Sequence, residues 1–142
     1  MSVLARGSAD ELKTAMESLA APSAEQCPVQ WLRRPETGLV MVRGRIGGTG
    51  AQFNMGEAPV TRCALRLESG TVGMAWVRGR DARHAEYAAH LDALLQEPRW
   101  HDEVQEKVIT PLARQQHEAR ELASRKAAAT AVSFYTLARG ED

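Results

Sequence analysis

Cysteine is scarce in this sequence, since only Cys27 and Cys63 occur among its 142 residues. Two cysteines are too few for a disulfide framework or a zinc cluster, so we expect reduced thiols, with Cys63 as a small core residue. The four histidines lack the i, i+4 spacing that is typical of metal ligands on a helix. The sequence therefore predicts no metal site.

The chain also lacks a surplus of either charge and a long apolar run. Lys+Arg and Asp+Glu both count 18, so no overall field draws the protein toward nucleic acid or a membrane. No segment approaches the ~18 consecutive apolar residues of a membrane-spanning helix, and the N-terminus has no signal-peptide core. We expect a soluble, untargeted cytoplasmic protein with no nucleic-acid or membrane partner.

The common nucleotide-binding motifs are missing. No GK[ST] triplet occurs, which excludes a Walker loop, and Gly48-Thr49-Gly50 precedes neither the third glycine nor the helix of a dinucleotide fingerprint. The length predicts a single domain over residues 1–142, which would bury about two thirds of the surface of the unfolded chain.

Helical patterns occupy both ends of the chain. Residues 2–20 predict an N-terminal helix, in which Ser8 and Glu11 have the spacing of a capping box. Residues 100–129 favour helix throughout. Pro111 is expected either to kink this long C-terminal segment or to start a new helix within it.

The middle of the chain alternates with period two and predicts strands. Val29–Arg33 and Leu39–Ile46 form a first hairpin with a turn on Pro35, and Thr61–Leu67 and Thr71–Arg78 form a second hairpin. The β-branched and aromatic stretch 132–137 predicts a last strand. The expected fold is therefore α+β, with an antiparallel sheet of four or five strands and helices packed on one face.

A glycine-rich loop, Gly47–Ala58, follows the first predicted hairpin. In the strand before it, Val40, Val42 and Ile46 are predicted to face the core. Glycines at positive φ can turn successive amides outward as an anion-binding nest, and a mobile hairpin connection is the alternative explanation. The candidate anion-binding or partner-interface residues are Arg43, Arg45, Gly47, Gly48, Thr49, Gly50, Arg62, Arg78 and Arg80.

A helix begins near Asp81, its predicted N-cap, and runs to about Gln96. His84 and Glu86 lie in or near its first turn. In one interpretation they are the acid–base groups of a self-sufficient phosphate-ester or nucleotide-handling enzyme that clamps its substrate with arginines. In the other, His84 packs beside an apolar stripe and Glu86 complements the helix dipole.

Three blocks of sequence, in order, resemble the PhnG family, the G subunits of the bacterial carbon–phosphorus lyase system. The blocks read RIGGTGAQFNMGEAPVTR, GMAWVRGRDARHAEYAAHLDALLQ and VSFYTLARG. The resemblance extends from about Thr37 to Gly140, and the first 36 residues match it more loosely. It adds no catalytic residue, because no such role is well established for the family.

The resemblance implies a subunit of a core complex with H, I and J subunits, of which I is expected in direct contact. With help from an ATP-binding-cassette-like L protein, the complex would transfer an alkylphosphonate onto the ribose of ATP and release adenine. An iron–sulfur cluster and S-adenosylmethionine belong to the J subunit, and this chain alone would bind no cofactor. We therefore expect no activity from the isolated chain, and a purely scaffolding subunit is a further alternative.

The glycine loop is relevant both to the family resemblance and to the physical argument from its residues. Arginines and backbone amides suit a triphosphate and a phosphonate, but the same groups suit contact with the I subunit. We favour the interface, and expect residues from Gly47 to Glu57 to become ordered only against that partner.

Overall fold

The computed structural model describes residues 1–20 and 29–130. Cys27 and the predicted last strand, 132–137, lie outside the described residues. The elements in chain order are a 3-10 turn (Leu4–Arg6), α1 (Ala9–Glu17), β1 (Gln30–Arg45), a 3-10 turn (Ile46–Gly48), β2 (Gln52–Arg66), β3 (Val72–Arg78), α2 (Ala82–Gln96), α3 (Pro98–Val104), a π-helical segment (Gln105–Ile109) and α4 (Thr110–Ala129).

The N-terminal helix has the predicted capping box. The Ser8 hydroxyl accepts from the Glu11 amide at 3.2 Å, and the Glu11 carboxylate accepts from the Ser8 amide at 2.8 Å. These two bonds satisfy donors that a helix start otherwise leaves without partners. Leu12 and Met16 of α1 are buried in the core, and so is Leu4 of the preceding turn.

Helix α2 covers one face of the sheet. Asp81 caps it as predicted, because its carboxylate accepts from the His84 amide at 3.0 Å. The sheet-facing side of α2 is lined by buried alanines (Ala85, Ala88, Ala89, Ala93). These small side chains bring the helix backbone very near Gly73 of β3, where an added Cβ would lie 2.0 Å from the Ala89 carbonyl oxygen.

The core lies between this helix and the inner side of β2 and β3. Leu65 is 1% exposed, and Cys63, Ala75, Val77 and Leu91 are also buried. Burial, and secondarily the charge of Glu86, raises the pKa of the Cys63 thiol to about 11. Cys63 is therefore the inert core residue that the alternation predicts.

The C-terminal helices continue with little interruption. Pro111 lies in the first turn of α4, and the preceding turn is π-helical, with the Thr110 hydroxyl donating to the Gln105 carbonyl at 2.9 Å. The first residues of a helix have no helical partner for their N–H groups. Because proline lacks an N–H, Pro111 at the start of α4 leaves none without a partner. Beyond Leu112 most of α4 is exposed, and its Leu122 is 48% exposed.

Three antiparallel strands, in the order β1-β2-β3, form the sheet of the described residues. The predicted number of four or five strands is therefore not found there. The first predicted hairpin is wrong: Val29–Arg33 and Leu39–Ile46 belong to one extended path, and β1 runs through Pro35 without turning. Proline is tolerated because β1 is an edge strand, where a missing N–H on the outward side breaks no ladder bond.

The hairpin of β1 and β2 is longer than predicted. Strand β2 begins at Gln52, so the predicted loop Gly47–Ala58 shrinks to a tight turn. Val40, Val42 and Ile46 do not face the core: their side chains are 38%, 40% and 65% exposed. The helices end before this part of the sheet. We call the projecting part of the hairpin, residues 39–58, the arm.

Across residues 1–20 and 29–130, no helix is long and apolar enough to cross a membrane.

Candidate functional site

The sheet side away from α2 is uncovered in the described part of the chain. We call it the outer face. The register places Arg62 of β2 between Glu36 of β1 and Trp76 of β3, and Arg78 opposite Val60 one pleat further along. The Trp76 side chain is 55% exposed. The outer face thus carries exposed apolar side chains, such as Met74 and Trp76, around an ionic cluster near its middle.

Glu36 organises this cluster. Its carboxylate accepts from Arg62 Nε at 2.6 Å and also pairs with Arg33. The Arg62 guanidinium in turn lies over the Trp76 ring, 5.6 Å from its centroid. Hydrogen bonds from Arg62 and then from Arg33 hold the pKa of Glu36 below its ordinary value. Arg62 therefore already has a carboxylate partner, which makes it a poorer clamp for a substrate anion.

A shallow cleft of about 320 Å³ opens beside the cluster. Its lining residues share the middle of the sheet and include Glu36, Gly38, Val40, Val60, Arg62 and Trp76. Apolar walls and one internally paired arginine suit a side chain from another protein better than a triphosphate.

The remaining arginine candidates are split between two places. Arg78 ends β3 on the outer face, and Arg80 is exposed just before α2. Arg43 and Arg45 lie near the tip of the arm. Arg62 is opposite position 36, so Arg43 is displaced along β1 by roughly 23 Å at ~3.3 Å per residue. The five arginines do not converge on one point.

In the turn at the arm's tip, the glycines have the expected positive φ, but two amides bond within the turn instead of pointing outward. Gly47 and Gly48 have φ values of 58° and 82°, which favour glycine. The amides of Thr49 and Gly50 both donate to the Ile46 carbonyl. Because these two donors are already used inside the turn, they are not available to an anion. The role of the turn in anion or partner binding stays a prediction.

His84 lies in the core. It is 7% exposed, and its Nε2 is 2.9 Å from the Leu4 carbonyl oxygen. The packed-histidine interpretation therefore describes it, and the ring does not face the arginines of the arm. Glu86 is half-buried, and its charge is felt by the Cys63 thiol on the inner side of the sheet. The two residues do not form an acid–base pair with the arginine candidates.

No group of three or more His, Cys, Asp or Glu side chains within the described ranges could hold a metal ion.

Comparison with known proteins identifies the chain by family. The family model described as "Phosphonate metabolism protein PhnG" matches residues 1–140. The chain belongs to the PhnG family. The sequence resemblance is therefore confirmed.

One curated relative is similar over the whole chain. It is the alpha-D-ribose 1-methylphosphonate 5-triphosphate synthase subunit PhnG of Rhizobium meliloti (strain 1021). The two sequences are 44% identical over 142 residues, which is 100% of this chain and 88% of the relative. This PhnG-family chain therefore aligns from end to end with a protein named as a synthase subunit.

The predicted site residues include Arg62 but not the other three members of the outer-face cluster, Arg33, Glu36 and Trp76. Their meeting at Arg62 depends on the pairing register of three strands, which no local spacing reveals.

Proposed function

We propose that this chain is the G subunit of a ribose 1-alkylphosphonate 5-triphosphate synthase within a carbon–phosphorus lyase core complex. It supports the transfer of an alkylphosphonate onto the ribose of ATP with release of adenine. The observation that carries this proposal is the uncovered apolar surface of the arm and outer face, in a chain 44% identical to a named synthase subunit. Such a surface is typical of a protein–protein interface.

The positions of the polar candidates support a subunit that is inactive alone. His84 is buried against Leu4, Arg62 is paired with Glu36, and the arm arginines lie far from both. A self-sufficient phosphate-ester or nucleotide-handling enzyme would need these groups within hydrogen-bond reach of one substrate. That alternative loses its acid–base residue and its converging clamp.

The proposed complex also contains H, I and J subunits, with I in direct contact and the ATP-binding-cassette-like L protein as an associate. ATP is a substrate of the whole complex. The iron–sulfur cluster and S-adenosylmethionine belong to J, and this chain binds no cofactor alone. The complex works in the cytoplasm. The exposed arm supports direct contact with at least one of these subunits.

Co-expression with the other subunits tests the interface. Trp76→Glu places a charge in the middle of the outer face, and we expect it to reduce co-purification by about tenfold or more. Leu122→Glu is the matched control, because Leu122 is 48% exposed on α4 while Trp76 is 55% exposed. Equal retention of both variants would contradict an interface on the outer face.

Catalysis is tested separately. The assembled complex, given ATP and methylphosphonate, is expected to release adenine, while the isolated chain is expected to release none above the rate without protein. Adenine release by the isolated chain would overturn the assignment as a non-catalytic subunit.

A shared anion site and a pure scaffold make different predictions for the arginines. Arg45→Ala and Arg62→Ala are assayed in the assembled complex for both assembly and adenine release. Loss of assembly supports an interface role. Normal assembly with lost adenine release supports arginines that reach into a partner's substrate site.

A further inference from the structure

The two outward edges of the sheet are treated differently by the rest of the chain. The edge of β3 is capped by side chains of α2. The Met74 amide donates to the Asp92 carboxylate at 3.1 Å, and the Val72 carbonyl accepts from the Gln96 side-chain amide at 2.9 Å. Such caps prevent another strand from pairing there.

The outward groups of β1 follow from the pairing register. Pro59 of β2 has no N–H, and its carbonyl accepts from the Gly79 amide at 2.8 Å, so its backbone faces β3. Leu39 is directly opposite Pro59. In an antiparallel ladder this makes a non-hydrogen-bonded pair, and the N–H and C=O of Leu39 therefore point away from β2.

The same orientation recurs every second residue. Pairing is regular from Glu36 to Val42, so Thr37 and Met41 also direct their N–H and C=O outward. Within residues 1–20 and 29–130, no side chain or backbone group caps these outward groups. The edge of β1 is therefore open along this stretch, whereas the edge of β3 is capped at Val72 and Met74.

This open edge lacks the usual protection against pairing. Thr37–Val42 reads TGLVMV, with no charge, no proline and no register shift. Leu39 and Met41 are 60% and 50% exposed. An exposed, apolar and regularly paired edge segment, such as this one between two register shifts of β1, is a template for a further strand.

The charges near this edge indicate which residues a strand that pairs with it would carry. Arg43 and Arg45 follow Met41 at alternate positions, and both are exposed. Arg45 donates to the Gly50 carbonyl at 3.2 Å, and neither guanidinium has a carboxylate within 4 Å in the part of the chain that the structure describes. A strand that lies along this edge and carries acidic residues beside them would be complementary to the arm.

We propose that the outward edge of β1, from Thr37 to Met41, receives an extended strand from another synthase subunit, antiparallel or parallel to β1. The strand is apolar along Thr37–Met41 and carries at least one carboxylate that pairs with Arg43 or Arg45. Backbone hydrogen bonds supply the affinity, and the charges set the register. This inference rests on the proposed function, because it assumes that such subunits assemble with the chain.

Met41→Pro tests the edge directly. It removes an outward N–H and leaves the ladder to β2 intact, because Met41 makes no backbone bond to β2. Proline is tolerated on the outward side of an edge strand, where its missing N–H breaks no ladder bond. In the co-expressed complex we expect Met41→Pro to reduce co-purification by about tenfold or more, whereas Met41→Ala, which removes only the side chain, reduces it much less.

Equal co-purification of Met41→Pro and Met41→Ala would overturn the proposal. If wild type itself fails to co-purify with the other subunits, the proposed function fails first and this inference fails with it. Arg43→Glu tests the charge: we expect weaker co-purification than for Arg120→Glu, its exposed counterpart on α4. Equal retention of these two variants would contradict the acidic partner strand.

Hydrogen exchange of the wild-type chain keeps the test independent of any variant's folding. The amides of Leu39 and Met41 are expected to exchange rapidly in the isolated chain and about a hundredfold more slowly in the complex. Protection already present in the isolated chain would assign the edge to the chain's own residues or to a second copy. Either result would overturn the proposal.

Discussion

The covered half of the sheet, in which β3 takes part, and the arm, made of β1 and β2 alone, have opposite surroundings. In the covered half, Leu65 of β2 is 1% exposed beneath α2. In the arm, Leu39 of β1 is 60% exposed, and Val42, Phe53 and Met55 are also open to solvent. Both halves have apolar residues at every second position. Alternation therefore identifies a strand and its two faces, but it does not identify what covers them.

The difference has an energetic consequence. A two-stranded hairpin with both faces in water is marginally stable, whereas a sheet packed against a helix is stable by itself. Burial of apolar area contributes roughly 25 cal/mol per Å², so the arm gains this stabilisation only when another surface covers it. We expect the covered half to determine the stability of the isolated chain, and the arm to determine assembly.

The largest expected effect is at Gly73, where helix and strand backbones meet. An added Cβ would lie 2.0 Å from the Ala89 carbonyl oxygen, and α2 would have to move away from β3. We expect Gly73→Val to lower the free energy of unfolding by about 3 kcal/mol or more, as measured by urea titration of the isolated chain. Gly38→Val is the control, because a Cβ there meets nothing within 4 Å. Similar losses in both variants would contradict the comparison.

The pair Leu65→Ala and Leu39→Ala tests the same chemical change in the two halves. Leu65→Ala leaves a cavity in the core and should cost about 2–5 kcal/mol of unfolding free energy. Leu39→Ala should cost less than about 0.5 kcal/mol in the isolated chain, because its side chain is mostly in water. For folded protein, the ranking of the two variants should be opposite in the co-purification assay. There Leu39→Ala should have the larger effect, because it weakens assembly although its fold is intact. A large destabilisation by Leu39→Ala would show that the arm supports the fold.

The smallest expected effect concerns Glu36, at the boundary between the halves. Its pKa is lowered by Arg62 and Arg33, so the stabilisation is present above its ordinary value of 4.5 and is lost as the pH falls through the lowered pKa. Glu36→Gln should lower the melting temperature slightly at neutral pH, and the difference from wild type should vanish in acid. High salt should also reduce it, because the pair is exposed. Glu57→Gln serves as the unpaired control. If the melting-temperature difference between Glu36→Gln and wild type persists unchanged in acid, the ion-pair explanation is refuted.

Much of the fold was predictable because local chemistry decides it. The Ser8–Glu11 capping box and the Asp81 cap are each made by residues three positions apart. The hairpin of β2 and β3 follows from two alternating runs around a short turn. The turn predicted at Pro35 was wrong because proline breaks a central strand but not an edge strand, and the position of β1 in the sheet is not a local property.

The candidate site was predictable only in part. The glycines of the turn have the positive φ values expected of them, but the arginines do not form one cluster, since Arg62 pairs with Glu36 and Arg43 lies far along the arm. Distance along the sequence does not determine distance across a sheet when the strand length is misjudged. His84 likewise matched a catalytic residue type while its ring packs against Leu4.

The sequence by itself determined the family, the α+β class, the helix caps and the alternation of the strands, because each depends on residue types at short or recognisable spacings. Only the tertiary structure decided that β1 and β2 extend beyond α2. The same holds for the meeting of Glu36, Arg62 and Trp76 across three strands. It also decided that Asp92 and Gln96 cap groups on one edge of the sheet while the other edge stays open. These features depend on strand register and on where a helix ends above a sheet. Both are set by long-range packing, which brings together residues that no local pattern connects.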